Sequence, residues 1–178
     1  ERLDVDLRPK EPSATTQGVY VVQNKTAEPL REVHIRFPRD LEMRWLSVQG
    51  ARPRPGRTYD DFNYRVFEFD TPMLPGERRT IAFTTRLAQH GFRNRNNLLS
   101  VVRNGTFLND RMITPSLGID RREFLTDRGR RHKYAPKRHT RVAPLGAPGP
   151  DRFNFLGRDG DWVTAIIRVT TDADHTPM

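Results

Sequence analysis

His34, His90, His132, His139 and His175 are scattered along the chain, and none forms the close i, i+4 pair on a helix that a zinc protease needs. No metal site is expected from them. His34 falls on the polar side of a strand pattern and reads as a solvated side chain. Ser13, Ser47, Ser100 and Ser116 lack flanking nucleophile-elbow glycines, and spacing assigns no base to any of them. Asp159, Asp161, Asp172 and Asp174 could suggest calcium, but they lack the loop spacing and bidentate acid of an EF-hand and read as turn aspartates. The sequence therefore places no catalytic residue, no metal ligand and no cofactor in this chain.

Charge is more informative. From Arg121 to Arg141 there are nine Lys or Arg against two acids, which supplies most of the formal net charge of +9. Clustered cations gain by counterion release on nucleic acid, but this run has no reading helix or stacking strand beside it, so nucleic acid is not the expected partner. Arg130, Arg131, Lys133, Lys137 and Arg138 read instead as a peripheral contact surface for acidic lipid headgroups or for the rest of a longer protein. The absence of Cys excludes disulfides and thiolate metal sites and leaves the compartment open.

The elements that must position these groups are strands. Val33-His34-Ile35-Arg36-Phe37, Ile81-Ala82-Phe83-Thr84-Thr85 and Val163 to Val169 alternate at period two, the pattern of a half-buried antiparallel sheet. Val5 and Leu7 predict an edge-like strand closed by Pro9 and Pro12. Thr15 to Gln23 follows, with Tyr20 and Val22 on one face and Val19 and Val21 on the other, both expected to be covered. Asn24 to Pro29 is a turn. Leu41, Met43 and Trp45 share one face with Leu46 and Val48 opposite, and Gly50, Pro53, Pro55 and Gly56 predict an exposed loop. Tyr64 to Phe69 points Phe67 and Phe69 inward, and Leu74-Pro75-Gly76-Glu77 is a turn in which Gly76 takes the left-handed position. Gly91 to Asn97 reads as a loop and Leu98 to Val102 as a short strand. Asp120 and Glu123 predict a capped helix near Arg121 to Arg128, and Ala143 to Pro150 an irregular passage. Trp162 to Thr170 closes the fold, with Val163, Ala165, Ile167 and Val169 inward.

The expected fold is all-β, an antiparallel sandwich over residues 1–178 with residues 104–160 as an irregular basic insertion. Phe37, Trp45, Phe67, Phe83 and Ile167 should converge between the sheets. No run approaches the ~20 apolar residues that span a bilayer. A chain opening at Glu1 and closing at Met178 suggests a piece of a longer protein.

Leu3-Asp4-Val5-Asp6-Leu7, Gly18-Val19-Tyr20, Asn24-Lys25-Thr26, Pro29-Leu30, Leu74-Pro75-Gly76-Glu77 and Gly91-Phe92 together resemble the N-terminal β-domain of aminopeptidase N-like zinc metallopeptidases. Gly91-Phe92-Arg93-Asn94, Asn104 to Asn109, Pro115 to Arg122 and Asp161 to Ala165 are similar to the bacterial branch fused to an ABC transporter permease. The resemblance implies a saddle-like sandwich lying against a helical peptidase-like domain outside the bacterial cell membrane. It also implies that zinc and the His-Glu-x-x-His motif belong to that other domain, since neither this motif nor Gly-x-Met-Glu-Asn occurs here. The segment from Leu125 to Pro150 is longer than in the ordinary aminopeptidases. The expected role is a noncatalytic support for a peptidase-like domain and transmembrane segments of the same polypeptide. The rivals are an independent protein- or peptide-binding sandwich and an enzyme complete in this piece.

Overall fold

In the computed structural model, residues 1–88, 100–103, 105–118, 129, 133–134 and 163–173 are described. The predicted helix at 121–128, the loop at 91–97, the irregular passage at 143–150 and Arg130, Arg131, Lys137 and Arg138 lie outside them. The chain divides into one unit of Glu1–Ile119 with Ala165–Met178 and another of Asp120–Thr164.

The first unit is a two-layer β-sandwich. Strands β1 (Arg2–Arg8), β2 (Ser13–Gln23), β3 (Leu30–Arg36), β4 (Leu41–Val48), β5 (Ala51–Tyr59), β6 (Tyr64–Met73) and β7 (Arg78–Ala88) come first. The short β8 (Val101–Val102), β9 (Gly105–Thr106), α1 (Asp110–Ile113) and β10 (Ser116–Leu117) follow, and β11 (Ile166–Thr170) returns last. The five-stranded sheet has the order β11-β1-β2-β7-β4, the four-stranded sheet β10-β3-β6-β5, and β8 pairs with β9. All pairings are antiparallel except β1 with β11, which run parallel.

Alternation puts one face of each long strand inside. Leu3, Val5, Ala14, Phe37, Leu41, Phe83, Leu87, Val101 and Ile113 form one buried cluster, and Ile35, Val48, Phe67, Phe69, Met73 and Ile81 form a second. Tyr20 and Leu46 pack against both. Gly18 pairs with Phe83 across β2 and β7, and a Cβ there would stand 2.1 Å from the Phe83 ring. The glycine is thus the space the ring occupies, while Tyr20 meets the same ring edge-on with centroids 4.9 Å apart.

Two turns are stitched by one buried residue. Asn24 donates through Nδ2 to the Glu28 and Met73 carbonyls, both at 2.9 Å, and its Oδ1 accepts from the Thr26 N–H and hydroxyl. All its polar capacity is used, which makes its burial affordable. In the Leu74–Glu77 turn, Gly76 has φ +78° and the Glu77 carboxylate accepts from the Leu74 N–H at 2.7 Å. The turn expected from Pro75-Gly76 is present.

Several expectations are corrected. β1 is not an edge, because β11 pairs outside it. Val19 and Val21 are exposed, so only one face of β2 is covered. Trp45 is 54% exposed because a register shift between Met43 and Trp45 reverses the strand's phase. Leu41, Leu46 and Val48 consequently all reach the core clusters. The loop expected around Pro53 and Pro55 is an edge strand, a position where missing donors cost no ladder bond. Ile167 shares its register row with Leu3 yet is 56% exposed, because β11 is the sheet's last strand. Val163, Ala165 and Val169 are also exposed, so the burial expected for this row is not reached, although Ile167 and Val169 lie in register with Leu3 and Val5. The one-turn helix Asp110–Ile113, not foreseen, contributes Ile113 to the core, and Thr85 donates to the Ile113 carbonyl at 2.6 Å.

Candidate functional site

Outward alternation on β3 aligns Glu32, His34 and Arg36, and register sets them beside Glu68, Val66 and Tyr64 of β6. On β5, Pro53 pairs with Phe67 and Thr58 with Arg65, so residues 54–57 arch outward opposite Val66 alone. Gly56, with φ +72°, allows the arch to turn back. The arch delivers Arg54 and Arg57 to the same face.

These residues form a continuous polar chain. The Tyr64 hydroxyl meets His34 Nδ1, and His34 Nε2 lies 2.9 Å from Glu32 Oε1. Arg54 and Arg57 donate to Glu32 Oε2 at 3.0 and 2.8 Å. A neutral imidazole satisfies both neighbours, with Tyr64 donating to Nδ1 and Nε2–H donating to Glu32. The order hydroxyl, imidazole, carboxylate has the form of a nucleophilic relay. Its electrostatics run the other way, because burial raises the Tyr64 phenol instead of activating it. The His34 hydrogen bond, then Arg57 and Arg54, lower Glu32 and hold it as a carboxylate whose two oxygens are both occupied. The cluster is a clasp across three strands. Glu32 and His34 were legible as neighbours two apart on one face, but Arg54, Arg57 and Tyr64 were not, since only the arch and register bring them in.

A groove of about 280 Å³ lies on the other sheet, lined by Asp4, Val5, Asp6, Thr15, Gln17, Arg168 and Thr170. Its charges are engaged across the β1–β11 seam. Arg168 Nε is 3.5 Å from Asp4 Oδ1, and the Thr170 hydroxyl donates to Asp6 Oδ1 at 3.2 Å. Arg8 bridges Asp6 at 3.0 Å and Asp172 at 3.5 Å, so Asp172 is an ion-pair partner. Next to this groove the sheet's outer face turns neutral, with Val19, Val21 and Trp45 exposed.

Of the five basic residues expected to form a contact surface, Lys133 is described, with its ammonium 5.2 Å from the Tyr134 ring centroid. His90, His132, His139 and His175 lie outside the described residues. Among the described residues no three His, Asp or Glu side chains come together to hold a metal ion. No helix among them is long and apolar enough to cross a membrane.

No family model matches the chain, and no curated protein does. Among solved structures, it is similar to an M1 zinc metallopeptidase from Deinococcus radiodurans at 15% identity and a TM-score of 0.37, covering 50% of this chain and 19% of that one. A mutant of that enzyme bound to a Tyr-Ser-Ala substrate gives 14% identity, a TM-score of 0.37 and coverage of 56% and 22%. A two-domain M1 zinc metallopeptidase mutant bound to L-arginine gives 14%, 0.37, 52% and 20%. The chain spans about a fifth of the length of these structures.

Proposed function

We propose that this chain is a noncatalytic extracytoplasmic β-sandwich that packs against and supports a peptidase-like domain of the same polypeptide, in a membrane-bound fusion with an ABC transporter permease. The observation that carries the reading is a neutral patch on the outer face of the five-stranded sheet, where Val19, Val21 and Trp45 stand exposed beside Ala82, Thr80 and Thr84. An interface core is depleted of charge and enriched in aromatic residues, and this face has that composition. The polar chemistry of the opposite sheet is consumed in holding strands together. The phrases shared with the aminopeptidase N-like β-domain favour a peptidase-like neighbour, with zinc held there. The basic residues Arg130, Arg131, Lys133, Lys137 and Arg138 serve as a contact to acidic lipid headgroups, a contact that salt weakens.

The test is the parent reading frame together with hydrogen exchange on the intact parent protein. Transmembrane segments and a peptidase-like region in the frame, with Val19, Val21 and Trp45 protected only in the full-length protein, are the expected result. A frame without a peptidase-like region overturns the reading.

A further inference from the structure

Four strands end the two main sheets, and three of them are blunted. β4 carries the register shift near Arg44 and the Arg44–Glu42 ion pair, β5 carries two prolines and the arch, and β10 is two residues long. Bulges, charges, prolines and shortness are the devices that stop an edge from pairing with another chain. β11, Ile166-Ile167-Arg168-Val169-Thr170, has no proline, glycine or bulge, and its one charge, Arg168, is paired with Asp4 of β1.

Its free groups can be assigned. The Ile166 N–H donates to the Glu1 carbonyl at 2.9 Å, so residue 166 turns its backbone toward β1. Backbone groups alternate sides along a strand, so Arg168 and Thr170 do the same, while Ile167 and Val169 aim their N–H and C=O groups out of the sheet. Their side chains extend the apolar row of Leu3 and Val5, yet are 56% and 37% exposed.

We propose that this edge pairs with β11 of a second copy of the chain, antiparallel across a two-fold axis at Arg168, joining two five-stranded sheets into one. The strand is self-complementary about that point. Ile167 of one copy faces Val169 of the other, exchanging four backbone hydrogen bonds over the two pairs, and their side chains meet on the core side. The two Arg168 side chains meet on the opposite side, each with Asp4 Oδ1 already at 3.5 Å as a neutralising charge. The contact is smaller than the roughly 800 Å² per partner of a stable complex, so the dimer is weak and concentration-dependent.

Sedimentation equilibrium of the 178-residue chain, from about 1 μM to about 1 mM, reads the association directly. A reversible monomer–dimer equilibrium is expected. Val169→Pro removes an outward N–H while sparing the bonds to β1 and should weaken it at least ~10-fold; Ile167→Lys should do the same, and Trp45→Ala on the far edge strand should not. In hydrogen exchange, the Ile167 and Val169 amides should gain protection with concentration, while those of Arg168 and Thr170 stay protected throughout. Should Val169→Pro fail to fold, Ile167→Lys and the exchange pattern decide. A chain monomeric at every concentration, a dimer disrupted by Trp45→Ala instead, or exchange at Ile167 and Val169 independent of concentration would each overturn the proposal.

Discussion

The two sheets of the sandwich divide their labour in opposite directions. The five-stranded sheet concentrates its specificity inward, where Gly18 gives way to Phe83 and Tyr20 crosses the same ring, and outside carries a neutral patch beside the paired charges of the β1–β11 seam. The four-stranded sheet adds to its apolar interior an outer network of Tyr64, His34, Glu32, Arg54 and Arg57. A face whose charges are tied to each other holds its own strands. A patch with few charges, such as that around Val19, Val21 and Trp45, is the part available to meet another surface.

The largest test of that contrast is inside the five-stranded sheet. Phe83 is 1% exposed, so Phe83→Ala should cost about 3 to 5 kcal/mol by lost transfer energy and a cavity. Gly18→Ala presses a methyl group into the same ring and should cost about 1 to 3 kcal/mol. Chemical denaturation of both variants measures these changes. A loss below about 1 kcal/mol for Phe83→Ala would place the decisive packing elsewhere and erase the contrast.

Alkaline titration probes the same interior through Tyr20. Its hydroxyl donates to the Pro115 carbonyl at 3.2 Å, and burial pushes the phenol up to about 12. An unfolded tyrosine loses its proton near pH 10. The stability tied to this proton is therefore fully present below about pH 10 and lost as pH rises toward about 12. Tyr20→Phe should flatten that limb of the thermal-stability profile. An unchanged alkaline limb would mean that the phenol is not the group responsible.

The outer network should matter less. Glu32→Gln keeps the side chain's shape but removes the charge shared by Arg54 and Arg57, and exposed pairs of this kind are worth under about 1 kcal/mol. Its sign with pH is opposite to that of Tyr20. Folding lowers the Glu32 carboxyl, so its contribution is complete above the ordinary carboxylate range near pH 4.3 and disappears as pH falls through the lower folded value. The variant should lose part of the acid-limb slope. A cost as large as that of Phe83→Ala would make the clasp, and not the core, the main source of stability.

How far these features could be read from sequence follows from the range of the interactions involved. Ile35, Phe37, Phe67, Phe69, Ile81 and Phe83 are where period-two alternation put them, because alternation is local and the core is apolar. Trp45 escaped because one extra residue in β4 reverses the phase of everything after it, and nothing in Glu42-Met43-Arg44-Trp45 marks the insertion. Ile167 escaped for a different reason. Its alternation was correct, but burial also requires a sheet overhead, and position at the end of the five-stranded sheet is a property of topology. The clasp was half legible. Glu32 and His34 share a face by parity alone, whereas Arg54 and Arg57 arrive through an arch within a Pro/Gly-rich stretch that reads as a loop.

The smallest expected effect is the most diagnostic for function. Trp45 is 54% and Val21 62% exposed on the five-stranded sheet, so neither makes a large contribution to folding of the isolated chain. Trp45→Ala and Val21→Ser should each change its stability by no more than about 0.5 kcal/mol, the usual range for surface substitutions. Under the proposed function, the same two substitutions should loosen the contact between this sandwich and a peptidase-like neighbour in a longer polypeptide. Thermal unfolding of the isolated chain, set beside limited proteolysis of the parent protein, separates the two effects. Destabilisation of about 2 kcal/mol in the isolated chain would show that Trp45 is already packed within the sandwich, and the outer face would lose its claim as a docking surface.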